Sequence, residues 1–181
     1  MARWPTAPYS THRTGCYGCK RTSPADGACG VHGYPCTHWG VDTFTFGGIR
    51  DVWAPEAGIV VAVSDGSSPP FVGYGPGVVL MKGSSGVFHL FSHLELASIR
   101  VQKGQQIAEG APIGRFDAAH AHCHYEVRRN PTGPSETNTI DPVAWLESAS
   151  GGGSIKVLIA IGGLMFAGYA IAKLHAGEKL I

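Results

Sequence analysis

The sequence predicts a mainly β domain built from short antiparallel strands. Its 181 residues include 26 glycines and 12 prolines, which divide the chain into short segments bounded by turns. A continuous β-branched run at 59–63 precedes the Asp65-Gly66 turn and is typical of a buried strand. Two further strand-like runs, 78–82 and 87–91, are separated by the Gly83-Ser84-Ser85-Gly86 stretch, which predicts a hairpin.

Length and charge limit the number of domains and the classes of partner that can be expected. A chain of this size accommodates one sizeable domain with appendages, and 44% of its residues are hydrophobic. Only 15% are charged and the formal net charge is +1, so the composition gives no reason to expect a nucleic-acid partner.

The first segment, 1–36, has little from which to build a core. Residues 1–10 lack the apolar stretch of an ordinary secretory signal peptide. The segment contains four cysteines with the spacing C-x2-C-x9-C-x6-C, in a stretch rich in glycine and turn residues. Four thiolates would suit a structural zinc, two disulfides would serve equally well in an oxidising location, and free thiols are a third alternative. These cysteines are Cys16, Cys19, Cys29 and Cys36.

Three histidine-containing pieces carry the chemistry. The stretch 122–127 reads as a strand, so that His122 and His124 project from the same face. His38 and Asp42 have an even spacing that also places them on one face of an extended chain. A histidine, an aspartate and a second histidine would give zinc three ligands and leave a fourth position for water. His93 ends another strand-like run and is available for hydrogen bonding.

These pieces, in this order, resemble the lysostaphin-type zinc peptidoglycan endopeptidases, the LytM family or metallopeptidase family 23. The resemblance covers about 37–147. The stretches that carry it are THWGVD (37–42), APEAGIVVAVSDG (54–66), GYGPGVVL (73–80), LFSHL (90–94), VQKGQQIAEGAPIG (101–114) and HCHYEV (122–127).

The resemblance implies the fold, the reaction and the roles of five residues. The fold would be the antiparallel LytM-like sheet with a duplicated hybrid motif, and the reaction would be zinc-dependent hydrolysis of peptide bonds in peptidoglycan. His38, Asp42 and His124 would bind the metal, while His93 and His122 would flank the attacking water and the scissile carbonyl. Both flanking histidines are expected to titrate near neutral pH. We expect His122 to be the general base and His93 to stabilise the oxyanion or shuttle the proton, although the sequence alone leaves their order open.

Other polar and thiol residues near these motifs have weaker claims. Glu126 is tempting as a base, but we expect it to support the site structurally because it follows His124 on the same strand face. Glu95 has a still weaker claim, and His89 is expected to be a half-exposed strand histidine. Cys123 should point into the core. The loop 115–121 is shorter than in relatives, which leaves the substrate preference less supported than the metal chemistry.

The end of the chain predicts a membrane anchor. Asp141-Pro142 should start a short helix that closes the catalytic domain at 147, and 148–154 is a Gly/Ser linker by composition. Residues 155–174 form an apolar stretch of transmembrane length, followed by a short basic tail at 175–181. A helix packed inside a protein assembly is the alternative interpretation.

The expected setting follows from this anchor. Lys173, His175 and Lys179 follow the apolar core of the span and only Lys156 precedes it, which favours placing the tail inside and the enzyme outside. A wall-degrading enzyme on a membrane suits a phage virion with an internal lipid membrane, used in genome entry, with a bacterial tail-anchored hydrolase as the cellular alternative. The expected partners are peptidoglycan, lipid and other virion or envelope proteins. A second function class also stays open, namely a catalytically silent wall-binding or structural subunit with the same fold.

Overall fold

The computed structural model of the protein describes residues 5–6, 10–11, 15–23, 34–44 and 48–149. Within these ranges the chain forms short strands, a turn of 3-10 helix at Leu96–Ser98 and an α-helix, α1, at Pro142–Ala149. The strands are β1 (Ser10–Thr11), β2 (Lys20–Arg21), β3 (Cys36–Thr37), β4 (Val41–Phe44), β5 (Asp51–Trp53), β6 (Gly58–Ser64), β7 (Val78–Gly83), β8 (Phe88–Ser92), β9 (Gln106–Ile107), β10 (Pro112–Arg115), β11 (Cys123–Arg128) and β12 (Thr139–Ile140).

The strands form one large antiparallel sheet and two small ones. The large sheet has the order β1-β4-β11-β8-β7-β6-β9, and β12 adds to β11 beyond that path. The two-stranded sheets pair β10 with β5 and β2 with β3. The prediction of a mainly β fold with an antiparallel sheet is confirmed.

Strand β11 lies in the middle of the large sheet and brings the sequence motifs together. It pairs with β4 so that His124 lies opposite Asp42, and with β8 so that His124 lies opposite Ser92. Every residue of β11 is buried. Pieces of chain more than 80 residues apart are thereby held side by side by backbone hydrogen bonds.

The core lies against one face of β11. Cys123, Tyr125 and Val127 alternate onto this face and are fully buried, as predicted for Cys123. Side chains from β4, β5, β7, β8 and β10 complete the cluster. Burial of each large apolar side chain contributes about 1.5–3 kcal/mol, so this packing fixes the position of β11 and of the polar residues on its opposite face. The main members are Val41, Val52, Val79, Met81, Phe91, Leu94, Ile113, Phe116 and Leu146.

The expectation of a fully buried strand at 59–63 is wrong. Val60 is buried, but Ile59 and Val63 are 40% and 39% exposed. The pairing of β6 with β7 shifts between Val60 and Ala62. Val60 joins the main core and Val61 and Ala62 pack against a second, smaller apolar cluster, so that only part of the strand is covered. An antiparallel sheet tolerates water on its other face, which continuous apolar sequence does not reveal.

The predicted hairpin and closing helix are both present. β7 and β8 are joined through the turn around Gly86, which has a φ of +92°. The Asp141 carboxylate accepts a hydrogen bond from the Val143 N–H at 2.9 Å, as expected of a helix cap, and Leu146 is buried. α1 continues to Ala149, so the first two residues of the predicted linker are helical.

The predicted anchor cannot be compared with the fold. The apolar stretch 155–174, the tail 175–181 and the remainder of the linker lie outside the described residues. The described part of the chain contains no helix with the length and hydropathy of a membrane span.

Candidate metal centre

Three buried ligand atoms from the two predicted motifs converge on one point. His38 Nε2 lies 2.9 Å from His124 Nδ1, His124 Nδ1 lies 3.0 Å from Asp42 Oδ1, and His38 Nε2 lies 3.1 Å from the same oxygen. Atoms bound tetrahedrally to zinc at about 2.0–2.1 Å are separated by about 3.3 Å. The triangle is therefore close to the size that a zinc ion needs, and among the described residues this trio is the group suited to a metal.

The hydrogen bond on the far side of the His38 ring fixes its tautomer. His38 Nδ1 lies 3.1 Å from the backbone carbonyl oxygen of Cys16. A carbonyl only accepts, so Nδ1 carries the proton and donates it. The Nε2 lone pair is left facing Asp42 and His124, as a metal ligand requires.

A hydrogen bond also fixes the tautomer of His124, but here Nε2 makes the outer hydrogen bond and Nδ1 faces the other ligands. His124 Nε2 lies 2.8 Å from Glu126 Oε1. Burial opposes ionisation of Glu126, but His124 and Arg128 outweigh it and lower the pKa of this carboxyl to about 2. The carboxylate therefore accepts from Nε2–H, and Nδ1 faces the other two ligand atoms.

The lone pairs of His38 Nε2, His124 Nδ1 and Asp42 Oδ1 thus point at one another, with no hydrogen between them to form hydrogen bonds. A bound cation removes the repulsion between these lone pairs. In the metal-free protein a proton does so: burial alone would lower the pKa of His124, but Asp42 and Glu126 raise it to about 9. The pKa of Asp42 is held far below its usual range, against the effect of burial, by His124 and His38. The residues present fit a bound zinc ion.

Glu126 belongs to a buried polar network behind His124. Its Oε1 also accepts a hydrogen bond from the Tyr74 hydroxyl at 2.8 Å, and its Oε2 accepts from Arg128 Nε at 2.6 Å. Arg128 is fully buried and donates from Nη2 to the Tyr74 oxygen at 2.8 Å. The expected structural role of Glu126 agrees with this arrangement. Sequence reasoning missed Tyr74 and Arg128, since only the alternation along β11 hinted at Arg128.

Gly40 lies directly under the His124 ring. A Cβ at Gly40 would lie 2.7 Å from His124 Cε1 and 2.7 Å from the Tyr125 carbonyl oxygen. The His124 imidazole thus occupies the space that a side chain at position 40 would need. Gly40 is required for the close approach of the two segments that carry the candidate metal ligands.

The structure places His122 at the edge of the metal centre. Its Nε2 lies 3.6 Å from Asp42 Oδ1, while its Nδ1 lies 2.6 Å from the backbone oxygen of His120 and so donates to it. Burial lowers the pKa of His122 below its usual value. The neutral ring therefore presents the Nε2 lone pair on the side of the metal ligands.

His93 lies beside His122, with its ring centroid 6.1 Å from that of His124. The ring centroids of His93 and His122 are 4.8 Å apart and the rings are nearly perpendicular, and His93 stacks in parallel on His120 at 4.5 Å. His93 has left the strand: its φ is +59°, and its backbone bonds to Tyr74 and Asp117. Burial and the neighbouring histidines lower the pKa of His93 to about 2. The expectation that this histidine titrates near neutral pH is not met, because it is too deeply desolvated.

Two side chains with weaker claims lie away from the metal centre. His89, expected to be half-exposed, is fully buried; it donates to Glu56 Oε1 at 2.8 Å and accepts from the Tyr125 hydroxyl at 2.9 Å. His89 is buried because its side chain projects from the same face of the sheet as Tyr125. On that face the Trp145 ring of α1 packs against the imidazole. Glu95 pairs with Arg50 and Arg115 at 3.4 and 3.2 Å.

Three of the four N-terminal cysteines are disulfide-bonded in this structure. Cys16 is bonded to Cys19, and Cys36 is also disulfide-bonded, whereas Cys29 lies outside the described residues. Of the alternatives left open by the spacing, this arrangement agrees with disulfides and gives the structural zinc no support. The cysteine loop lies directly against His38, which the sequence suggested only through the proximity of Cys36.

Comparisons with known proteins agree with this geometry. The profile of Peptidase family M23 matches residues 36–142. No curated protein sequence matches the chain.

Solved structures show the same fold at low identity. CbpA from L. salivarius REN is 19% identical, with a TM-score of 0.60, over 82% of this chain and 95% of that one. The antimicrobial peptidase lysostaphin from Staphylococcus simulans is 23% identical, with a TM-score of 0.56, over 88% of this chain and 55% of that one. A chain of the SpoIIIAH–SpoIIQ complex is 17% identical, with a TM-score of 0.55, over 80% and 99%.

Proposed function

Because the chain belongs to peptidase family M23, we propose that it is a zinc-dependent endopeptidase that hydrolyses peptide bonds of bacterial peptidoglycan. The observation that carries the proposal is the convergence of His38 Nε2, Asp42 Oδ1 and His124 Nδ1 within 3.1 Å of one another. Their outer hydrogen bonds leave all three as electron-pair donors.

The three ligand residues would bind the metal, and the neighbouring histidines would act on the substrate and the water. His38, Asp42 and His124 would hold the ion, which supplies Lewis-acid activation of the scissile carbonyl and of the attacking water. All three ligand residues that the family uses are present in this chain, and all three are buried.

His122 has the geometry of a general base. It is neutral at pH 7, and its Nδ1–H bond to the His120 carbonyl keeps the Nε2 lone pair toward the metal side. A proton leaving the attacking water is accepted at this nitrogen and then delivered to the leaving amine.

His93 suits a different role. With a pKa of about 2 it is a poor proton acceptor, but a neutral imidazole donates a hydrogen bond from one nitrogen. Its position next to His122 supports a role in stabilising negative charge on the carbonyl oxygen.

The test combines metal analysis with clearing of purified cell walls. The zinc-loaded protein is expected to reduce the turbidity of a wall suspension. A chelator should stop the clearing and added zinc should restore it, while His122→Ala should bind zinc and fail to clear. Digestion of defined muropeptides followed by mass spectrometry identifies the bond. Zinc-loaded wild-type protein that clears no wall type contradicts the proposal.

That last outcome would favour a wall-binding or structural subunit. One observation gives this second function some weight: the SpoIIIAH–SpoIIQ complex contains a chain of similar fold in a protein assembly. Pull-down of wall fragments by protein that leaves them intact would identify such a subunit.

We also propose that residues 155–174 anchor the enzyme in a membrane, with a virion that contains lipid as the setting and genome entry as the purpose. The support is the sequence: residues 157–172 carry no charged side chain, and Lys156 and Lys173 flank them. Such a location would place the hydrolase at the wall that a viral genome has to cross.

Vesicle flotation tests the anchor. The full chain is expected to float with lipid vesicles, and the double variant Ile161→Asp/Leu164→Asp should remain in the aqueous fraction. Each aspartate costs about 2.5–3.5 kcal/mol at the centre of a spanning helix. Equal flotation of both proteins, or of neither, contradicts a spanning helix.

A further inference from the structure

The segment 15–21 lies outside the matched family region, yet it contacts both ligands of the first metal motif. The Cys16–Cys19 disulfide closes its residues 16–19 into a loop, and Lys20 and Arg21 pair with Thr37 and Cys36 as β2 and β3. The segment is thus tied to the strand that leads directly into His38.

The loop holds His38 through three hydrogen bonds. Gly18 N–H donates to the His38 carbonyl at 2.7 Å, and His38 N–H donates to the Cys19 carbonyl at 2.9 Å. The third bond runs from the imidazole Nδ1 to the Cys16 carbonyl at 3.1 Å. The backbone and the ring of His38 are therefore both fixed by residues within one short covalent ring.

The same segment holds Asp42. Asp42 N–H donates to the Gly15 carbonyl at 2.8 Å, and Arg21 Nη2 lies 3.0 Å from Asp42 Oδ2. Arg21 therefore engages the oxygen that does not face the two histidines. A Cβ at Gly15 would lie 2.7 Å from Asp42 Cβ and 3.0 Å from Oδ2, so that backbone and carboxylate are in close contact.

We propose that the segment 15–21, with its disulfide-closed loop 16–19, is a positioning element that sets the metal affinity of the centre by fixing His38 and Asp42. The inference rests on the proposed zinc site but not on peptidase activity. Loss of an outer partner of a metal ligand weakens binding about 10–100-fold, and this loop supplies the outer partner of His38.

Two variants of the full chain test the proposal. Cys16→Ala/Cys19→Ala opens the loop, and Gly15→Ala keeps the disulfide but pushes a methyl group against Asp42. Gly133→Ala is the matched control, because a Cβ there meets open space. Zinc affinity is measured by competition with a chromophoric chelator, and the visible absorption of bound Co²⁺ reports the ligand geometry.

The expected result is a fall in zinc affinity of about 10–100-fold in both variants, with an altered Co²⁺ spectrum and one zinc per chain throughout. Circular dichroism checks that each variant is folded; if the double variant unfolds, Gly15→Ala decides. Folded variants with wild-type affinity and spectrum overturn the proposal. So does a wild-type chain with two zinc ions of which the double variant loses one. Failure of the proposed peptidase would appear differently, as tight zinc binding without wall clearing.

Discussion

Glu126 binds His124 on the side opposite its metal-facing nitrogen, with 2.8 Å between Oε1 and Nε2. Both residues project from the same face of β11, two positions apart. The carboxylate therefore fixes the tautomer and the plane of a metal ligand without itself approaching the metal triangle.

Glu126→Gln should weaken zinc binding about 10–100-fold. The amide has the same shape as the carboxylate but no charge. The hydrogen bond that His124 Nε2–H donates therefore goes to a weaker acceptor, and the positive charge of buried Arg128 is no longer compensated. Removing one partner of a buried ion pair costs up to about 3–5 kcal/mol, and the unfolding free energy should fall accordingly. Chelator competition and urea unfolding measure both effects. Glu95→Gln, which alters a half-exposed ion pair, is the control and should leave the zinc affinity intact; equal affinities in the two variants would refute the role of Glu126.

Zinc affinity should rise with pH. The pKa of His124 is about 9 in the metal-free protein, so below pH 9 its Nδ1 carries a proton that the metal has to displace. The apparent affinity should increase about tenfold per pH unit from about pH 6.5 to about 9 and then level off. Calorimetry in buffers of different ionisation enthalpy should show about one proton released per zinc near pH 7.5. Binding that is independent of pH in this range would show that His124 is already neutral without metal.

Gly40→Ala should disrupt the metal centre. The added methyl group would meet His124 Cε1 and the Tyr125 carbonyl oxygen, each at 2.7 Å, and the backbone oxygen in the central strand cannot retreat. Overpacking of this kind costs about 1–3 kcal/mol, and displacement of the ring should reduce zinc affinity at least about tenfold. Thermal unfolding and chelator competition provide the measurements, with Gly133→Ala as the control. Normal zinc binding in Gly40→Ala would mean that the two segments separate without cost.

Glu56 should make the fold sensitive to acid. Burial opposes ionisation of this carboxyl, but hydrogen bonds from His89, Ser85 and Ser84 outweigh it and lower its pKa to about 2, against 4.5 ordinarily. Between these values the unfolded chain binds a proton that the folded chain does not, so stability is present above pH 4.5 and is lost as the pH falls toward 2.

Glu56→Gln should therefore flatten the fall of the melting temperature between pH 4.5 and 2, leaving the contributions of Glu126 and Asp42. Glu136→Gln, at an exposed position, should retain the wild-type slope. Parallel slopes for wild type and Glu56→Gln would remove Glu56 from the acid response.

Sequence patterns predict the parts of the site that depend on local spacing. His122 and His124 share a motif, as do His38 and Asp42, and family resemblance joins the two pairs. Turn residues predict the hairpin, and Asp141-Pro142 predicts the start of α1. These features are encoded within a few residues of one another, where alternation and capping rules apply.

The remainder depends on contacts between distant segments. Tyr74 reaches Glu126 from a loop 52 residues away, and the Cys16 carbonyl reaches His38 across 22 residues. His93 adopts a positive φ that strand alternation does not anticipate. Partners of this kind are set by tertiary packing, for which a single sequence carries no periodic signal.

The central position of β11 has a consequence for biosynthesis. His124, Glu126 and Arg128 occupy one face of this strand, and slippage by a single residue would turn all three toward the apolar side. The other two candidate ligands, His38 and Asp42, lie 86 and 82 residues before His124, so the site cannot assemble until this long-range pairing is complete. The proposed hydrolytic activity would therefore arise only together with the finished sheet.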